Sequence, residues 1–160
     1  MSQNNRLLPK LFELLPAECA CSTGSILYLE THFSNGVIKN KYLALMDGKD
    51  PPIFFFINSK KERKKWNECE ITLPSDVYSF LHHDSYLDYH TEASSLDYVD
   101  DCFPSMAEIT VALANDKNRF KGRLRREEAI QILQGIDSNR NDLEPPVKHR
   151  IREALSEYIK

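Results

Sequence analysis

Residues 81–97 carry the side chains of this chain that are best suited to proton-transfer chemistry. Their sequence, LHHDSYLDYHTEASSLD, contains three histidines together with acidic, hydroxyl and tyrosine side chains. An imidazole beside a carboxylate can donate or accept a proton near neutral pH, and a strand aims such groups reproducibly. Asp88 and His90 lie two residues apart, so on a strand they point to the same face. The segment therefore predicts general acid–base chemistry by His90, with Asp88 to orient it and His83 in reserve.

A metal site is an alternative use of the same side chains. Such a site would be formed by His82, His83, Asp84 and His90. Adjacent histidines on a strand point to opposite faces and cannot easily bind one ion. The sequence thus favours chemistry that uses no metal and no other cofactor.

Composition limits the classes of protein to which the chain can belong. Its 160 residues, 41% of them hydrophobic, can bury one core without disulfides or a metal, which predicts a single domain over residues 1–160. The formal net charge of −3 argues against indiscriminate coating of nucleic acid but leaves room for a local basic patch. Because neither a membrane-spanning apolar run nor a secretory signal is present, we expect a cytoplasmic protein that is not bound to membrane.

The four cysteines do not form a recognised metal or redox motif. They are Cys19, Cys21, Cys69 and Cys102. The only close pair has the spacing CxC rather than the CxxC of zinc sites and redox motifs. We therefore expect buried, reduced thiols.

The elements that must position the candidate residues form a β-rich part of the chain. Short runs of β-branched, aromatic and aliphatic residues, separated by turn signals, predict about five strands between residues 24 and 97. Asn35-Gly36 predicts a tight hairpin, because both residues tolerate positive φ angles. The run FFFI is apolar on both faces, which predicts a central strand. Together these features predict a small, curved antiparallel sheet or a partly open barrel.

Helical patterns flank the predicted sheet. Apolar spacing predicts a short amphipathic helix over residues 7–15, which would pack on the domain as an arm. Further periodic segments predict helices from Met106 to Leu113, from Arg125 to Ile136, and from Pro145 to the C-terminus. The predicted fold class is α+β, with a helical arm (7–15), a β-rich core (24–97) and a helical C-terminal part (106–159).

The order of these motifs resembles the toxin ribonucleases typified by MazF and PemK. GSILYLETHF resembles the opening strand of that family, and FFFINSK resembles an apolar strand that ends in Thr or Ser. HDSYLDYHTEASSLD is similar to a later strand that enters the active site, and KGRLRREEAIQIL is similar to a Gly-x-Leu segment that opens a helix. The resemblance covers roughly residues 24–136. It implies an SH3-like barrel with a C-terminal helix, a possible homodimer, and a partner antitoxin that covers the cleft.

Three regions differ from the pattern of that family, and one of them is the loop from Lys60 to Glu70, which is longer and more charged than in the compact members. KYLALM lies where the family has Arg-Pro, so that Lys41 and Tyr42 replace this pair. A lysine cannot hold a phosphate through the two parallel bonds that a guanidinium forms. His90, Thr91 and Glu92 occupy the region where the family has Gln and Arg.

The resemblance implies cleavage of single-stranded RNA by metal-independent transesterification. The ribose 2′-hydroxyl loses a proton as it attacks the phosphate, the phosphoryl oxygens gain charge, and the leaving oxygen gains a proton. We predict that His90 and Asp88 transfer these protons, with His83 in reserve. Ser59 would donate to a phosphate oxygen and Lys41 would offset the developing charge. As structural alternatives, Ser59 caps a turn and Lys41 faces solvent.

A basic loop after the FFFI strand is suited to binding RNA. The predicted RNA-binding residues are Lys60, Lys61, Lys64, Lys65 and Trp66. Cations hold the phosphates of a single strand, and an indole stacks on a base. In the alternative interpretation the loop is merely solvated and Trp66 packs into the core.

Three functions follow from the sequence. The leading one is a toxin-type endoribonuclease that acts on single-stranded RNA and is neutralised by an antitoxin protein. The second is a non-catalytic SH3-like module that binds a peptide or nucleic acid through its hairpin loops, Trp66, Tyr86 and Tyr89. The third is a neutralising or scaffolding component of a larger assembly, with its terminal helices as docking surfaces.

Overall fold

A curled, six-stranded antiparallel sheet forms the centre of the computed structural model. Its strands are β1 (Ser25–His32), β2 (Ile38–Asp47), β3 (Ile53–Asn58), β4 (Glu70–Leu73), β5 (Ser85–Asp88) and β6 (Phe120–Arg123). They lie in the order β4-β5-β3-β2-β1-β6. The sheet forms a half-barrel that is consistent with a small SH3-like curved sheet, and the predicted α+β class is confirmed.

The structure describes residues 22–61, 67–96 and 103–160. The predicted arm at residues 7–15 lies outside these ranges. The same is true of three cysteines and three predicted RNA-binding residues: Cys19, Cys21, Cys102, Lys64, Lys65 and Trp66.

Three α-helices follow the first five strands and confirm the predicted helical C-terminal part. They are α1 (Met106–Asn115), α2 (Arg126–Ser138) and α3 (Pro145–Tyr158). At the start of α1, Ser105 and Glu108 form a reciprocal capping box, which satisfies backbone donors that a helix start leaves unpaired. Pro145 opens α3, where a missing N–H costs nothing. None of the helices in the described ranges combines the length and apolarity needed to cross a bilayer.

Helices cover both faces of the sheet, and the pattern of β3 explains this arrangement. Phe54 and Phe56 point to one face, where they pack in a cluster with Ile109 and Leu113 of α1. Phe55 and Ile57 point to the other, where the cluster includes residues of α2 and α3 such as Ile132 and Ile151. We call these the α1 face and the α2–α3 face. Because β3 is buried on both faces and paired on both sides, the predicted central strand is confirmed.

The predicted hairpin joins β1 and β2, although its turn is not of the predicted type. His32 pairs with Ile38, and the amide of Phe33 donates to Val37 O at 2.9 Å. Only Gly36 has a positive φ, of 85°, so Asn35 does not adopt the conformation that a primed turn requires. Gly36 N donates to Phe33 O, as in a three-residue loop that ends in a left-handed glycine.

One strand is shorter than predicted, and one strand was not predicted. β5 ends at Asp88, so His90 lies just beyond the strand instead of within it. β6 was not predicted, because its sequence FKGR is short and contains Gly122. It nevertheless pairs with β1 and forms the sixth strand.

Candidate functional site

The candidate site residues are divided between the two faces of the sheet. Side chains alternate along a strand, so neighbours in sequence point to opposite faces. Lys41 and Asp88 lie on the α1 face, whereas Ser59 follows Ile57 on the α2–α3 face. This division decides which groups can act on one ligand atom.

On the α1 face, three polar side chains form a row across adjacent strands. Lys41 Nζ donates a hydrogen bond to Asn58 Oδ1 at 3.3 Å. Asn58 pairs with Tyr86 in β5. We call Lys41, Asn58 and Tyr86 the polar row, and all three are half-buried. Burial, with a smaller contribution from Lys39, lowers the pKa of Lys41 below its ordinary value. Its ammonium is therefore incompletely solvated and available to a negatively charged ligand.

Asp88 holds the imidazole of His90 from one side. His90 Nδ1 lies 2.6 Å from Asp88 Oδ1, and the backbone N–H of His90 donates to the same oxygen at 3.0 Å. An ionised carboxylate only accepts, so Nδ1 carries the proton of this bond. Nε2 is then the ring atom that can take up or release a proton. The side chains of His90 and Asp88 are 14% and 12% exposed, which restricts the approach of a ligand.

The polar row and the Asp88–His90 pair are neighbours on the α1 face. The β3–β5 register pairs Ile57 with Leu87, which places Phe56 beside Asp88 one position further on. The ammonium of Lys41 lies 5.6 Å from the centroid of the same Phe56 ring. Lys41 and Asp88 therefore both lie beside Phe56 on the α1 face, and His90 follows Asp88 beyond the end of β5. Of the predicted catalytic residues, this face carries Lys41, Asp88 and His90.

The basic loop contributes to the same surface through Lys61. Lys61 Nζ lies 5.6 Å from the centroid of the Tyr86 ring, and Lys60 is exposed beside it. A cation over an aromatic ring, next to the polar row, is suited to a single strand of nucleic acid, which carries both phosphates and bases.

The other two predicted catalytic residues border a cavity of about 210 Å³ at the same end of the sheet. Ser59 is exposed and lines this cavity with His82 and His83. Lys41 also borders it, although the ammonium of Lys41 is bound to Asn58 on the α1 face. His83 Nδ1 lies 2.9 Å from Asp84 O, and because a carbonyl only accepts, Nδ1 is the protonated nitrogen. Ser59 and His83 thus belong to the cavity and not to the Asp88–His90 pair.

Metal and thiol chemistry find little support in the described parts of the chain. There, no three His, Cys, Asp or Glu side chains are arranged to hold a metal ion. Cys69 is fully buried and donates from Sγ to Arg140 O at 3.0 Å. Burial is the main cause that raises the pKa of Cys69, to about 12, so the thiolate form is suppressed. This cysteine is a buried thiol, as predicted.

Sequence reasoning missed Asn58 and the tyrosines Tyr28 and Tyr42. Alternation along FFFIN was the available signal. Asn58 and Ile57 point to opposite faces, so Asn58 shares the face of Phe56 and Ser59 shares the face of Ile57. The pairing of Tyr28 with Tyr42 needed the register of β1 and β2, which a single sequence does not contain.

Comparisons of this chain with protein-family models, with curated proteins and with solved structures gave no match.

Proposed function

We propose that this protein is a toxin-type endoribonuclease that cleaves single-stranded RNA without a metal ion, with its active site on the α1 face. The observation that carries the proposal is the Asp88–His90 pair on the same face as the Lys41–Asn58 hydrogen bond. The pair supplies a proton-transfer group and the hydrogen bond supplies a cation with an amide. These are the groups that RNA transesterification demands.

In the proposed reaction His90 and Lys41 have separate roles. His90 Nε2 removes the proton of the 2′-hydroxyl and, as the imidazolium, returns it to the leaving 5′ oxygen, while Asp88 keeps Nδ1 protonated. The bond from 2′ oxygen to phosphorus forms as the bond to the 5′ oxygen breaks, which leaves a 2′,3′-cyclic phosphate. The Lys41 ammonium stabilises the charge on the phosphoryl oxygens.

Asn58 takes the role that the sequence analysis gave to Ser59. Its Oδ1 accepts from Lys41, which leaves its NH₂ group as the donor for a phosphate oxygen. Lys60 and Lys61 would bind the flanking phosphates, and Tyr86 would stack on a base. Like other toxins of this type, the protein would act in the cytoplasm and be neutralised by an antitoxin protein.

The test is cleavage of a labelled single-stranded RNA by the purified full chain in buffer that contains a chelator. We expect cleavage with cyclic phosphate ends, and a loss of at least 100-fold in His90→Ala. His149→Ala is the matched control, because His149 is exposed on α3 and pairs only with Glu153 among the described contacts. RNA left intact by the wild type, cleavage only with added metal, or full activity in His90→Ala would overturn the proposal.

A non-catalytic RNA-binding module is the second candidate. The low exposure of His90 and Asp88 favours it, because a substrate hydroxyl must reach His90 Nε2 for catalysis. In that case the Tyr86–Lys61 pair would still bind single-stranded RNA. RNA that binds to the wild type but stays intact would identify this function.

A further inference from the structure

The cavity on the α2–α3 face has flat aromatic walls. Tyr28 and Tyr42 stack with ring centroids 4.5 Å apart and an angle of 29° between the ring planes. Phe80 borders the same space, with its centroid 5.2 Å from that of Tyr42 and its ring tilted by 43°. We call this space, which these three rings line, the tyrosine cavity. Such walls suit a planar ring, because aromatic groups stack face to face with an offset.

The size of the tyrosine cavity limits its ligand to a small group. Its volume is about 210 Å³, whereas pockets for drug-sized molecules begin at roughly 300 Å³. One planar heterocycle fits this space better than a whole dinucleotide or a segment of folded peptide.

Asn40 gives the cavity a hydrogen-bond donor. Arg119 Nη1 lies 3.2 Å from Asn40 Oδ1 and also donates to Tyr28 O at 3.0 Å. A guanidinium has only donors, so the oxygen of the Asn40 amide must face Arg119. The NH₂ group of Asn40 is therefore the end that remains for a ligand, and Asn40 lines the cavity.

Other polar groups at the cavity suit the edge of a nucleobase. Because His83 Nδ1 donates to Asp84 O, Nε2 of the neutral ring is an acceptor. The hydroxyl of Ser59 can donate or accept. Lys121 lies with Nζ 5.7 Å from the Tyr28 ring and adds a cation close to the aromatic wall, where a phosphate would follow the base.

We propose that the tyrosine cavity binds one unpaired nucleobase of an RNA strand, and that it prefers bases with a carbonyl group, such as uracil, over adenine. This inference takes its ligand class from the proposed function but does not require catalysis. The Lys41–Asn58 hydrogen bond and the cavity lie at one end of β2 and β3, and Lys41 borders the cavity while its ammonium reaches Asn58. One RNA strand that passes this end of the sheet can therefore contact both faces of the sheet.

Binding of 2′-O-methyl oligonucleotides separates this proposal from cleavage, because they lack the attacking hydroxyl. We expect fluorescence anisotropy to show tighter binding of oligouridine than of oligoadenosine. Asn40→Ala should weaken oligouridine binding about 3- to 10-fold and remove the preference. Tyr42→Leu should weaken it about tenfold or more through lost stacking. Asn118→Ala is the matched control, since Asn118 is exposed and its backbone N–H, not its side chain, donates to Asp116.

Crosslinking then locates the base. With 4-thiouridine in the same oligonucleotide, we expect crosslinks in peptides that contain Tyr28, Tyr42 or Phe80. Crosslinks confined to Tyr86 on the α1 face, equal affinity in Asn40→Ala and wild type, or no binding of either oligonucleotide would overturn the inference. Base-selective binding without cleavage of unmodified RNA would overturn only the ribonuclease. Cleavage that is indifferent to Asn40→Ala and Tyr42→Leu would overturn only the cavity.

Discussion

The ammonium of Lys41 and the side-chain oxygen of Asn58, on adjacent strands, are joined by a hydrogen bond of 3.3 Å. The bond fixes a half-buried cation above Phe56 and turns the NH₂ group of Asn58 toward a ligand. Both groups can therefore donate to one anion without rearrangement, and such preorganised donors are what stabilises charge in a transition state.

Loss of the Lys41 charge should abolish most RNA cleavage without unfolding the protein. We expect Lys41→Met to lower kcat about 100-fold, as removal of one preorganised donor does in other enzymes. Burial already lowers the pKa of Lys41, so an apolar replacement should leave the thermal midpoint unchanged or raised. Single-turnover kinetics and thermal melts measure the two effects.

Lys39→Met is the matched control for Lys41→Met. Lys39 is exposed two residues away on the same strand, so its loss should change kcat less than threefold. Equal effects of the two substitutions would mean that only the net charge of β2 matters.

Replacing Asp88 should disable His90 without removing it. In Asp88→Asn the amide can present its NH₂ group to Nδ1, which would reverse the tautomer and place the proton on Nε2. We expect a fall in kcat of about 100-fold or more, with an altered pH–rate profile and a native circular dichroism spectrum. Asp76→Asn, at an exposed carboxylate, should behave like the wild type. A wild-type pH–rate profile in Asp88→Asn would contradict the orienting role.

The sequence was sufficient to predict those parts of the fold that local pattern determines. FFFI is apolar at every position, and only a strand that is covered on both faces requires that pattern. The spacing of Asp88 and His90 likewise places both on one side of the chain, and the structure joins them at 2.6 Å.

The rest depended on register and on long-range pairing. Lys41 meets Asn58 and not Ser59 because β2 and β3 pair in one particular register, and a shift of one residue would exchange the two faces. β6 joins the sheet only through β1, about 95 residues earlier in the chain, and its own four residues carry no alternation. The tyrosine cavity arises in the same way from the pairing of Tyr28 with Tyr42.

Gly135 on α2 should tolerate no larger residue, because its Cα faces the ring of Tyr89. A methyl group at this position would overlap the hydroxyl end of that ring. The ring cannot easily move, since its hydroxyl donates to Glu68 O at 3.0 Å and accepts from Asn139 Nδ2 at 2.7 Å. We expect Gly135→Ala to lower the free energy of unfolding by about 1–3 kcal/mol, despite the better helix propensity of alanine. Urea unfolding measures this loss.

A double mutant identifies the overlap as the cause of that loss. Tyr89→Phe removes the overlapping hydroxyl, so the cost of Gly135→Ala should be smaller in the Tyr89→Phe background. Gln134→Ala, at the exposed neighbouring position, is the control and should change stability by less than about 0.5 kcal/mol. Strictly additive costs would argue against contact between Gly135 and Tyr89.

Alkaline pH should destabilise the protein through its buried weak acids. Burial raises the pKa of Cys69 from 9.0 to about 12, and it also raises the pKa values of Tyr78 and Tyr158. Between pH 9 and 12 the unfolded chain releases the Cys69 proton while the native state keeps it. The native state then binds more protons than the unfolded state, so the free energy of unfolding falls as pH rises, by up to about 1.4 kcal/mol per pH unit for this thiol.

Cys69→Ala isolates the contribution of the thiol to this pH dependence. The variant should be less stable than the wild type at pH 8, because a buried side chain is truncated, yet its stability should fall less steeply from pH 9 to 11. Urea unfolding at a series of pH values measures both slopes, and the tyrosines account for the slope that remains. Parallel curves for the two proteins would mean that Cys69 ionises alike in the folded and unfolded states. Rapid alkylation of Cys69 by iodoacetamide in the native protein at pH 8 would lead to the same conclusion.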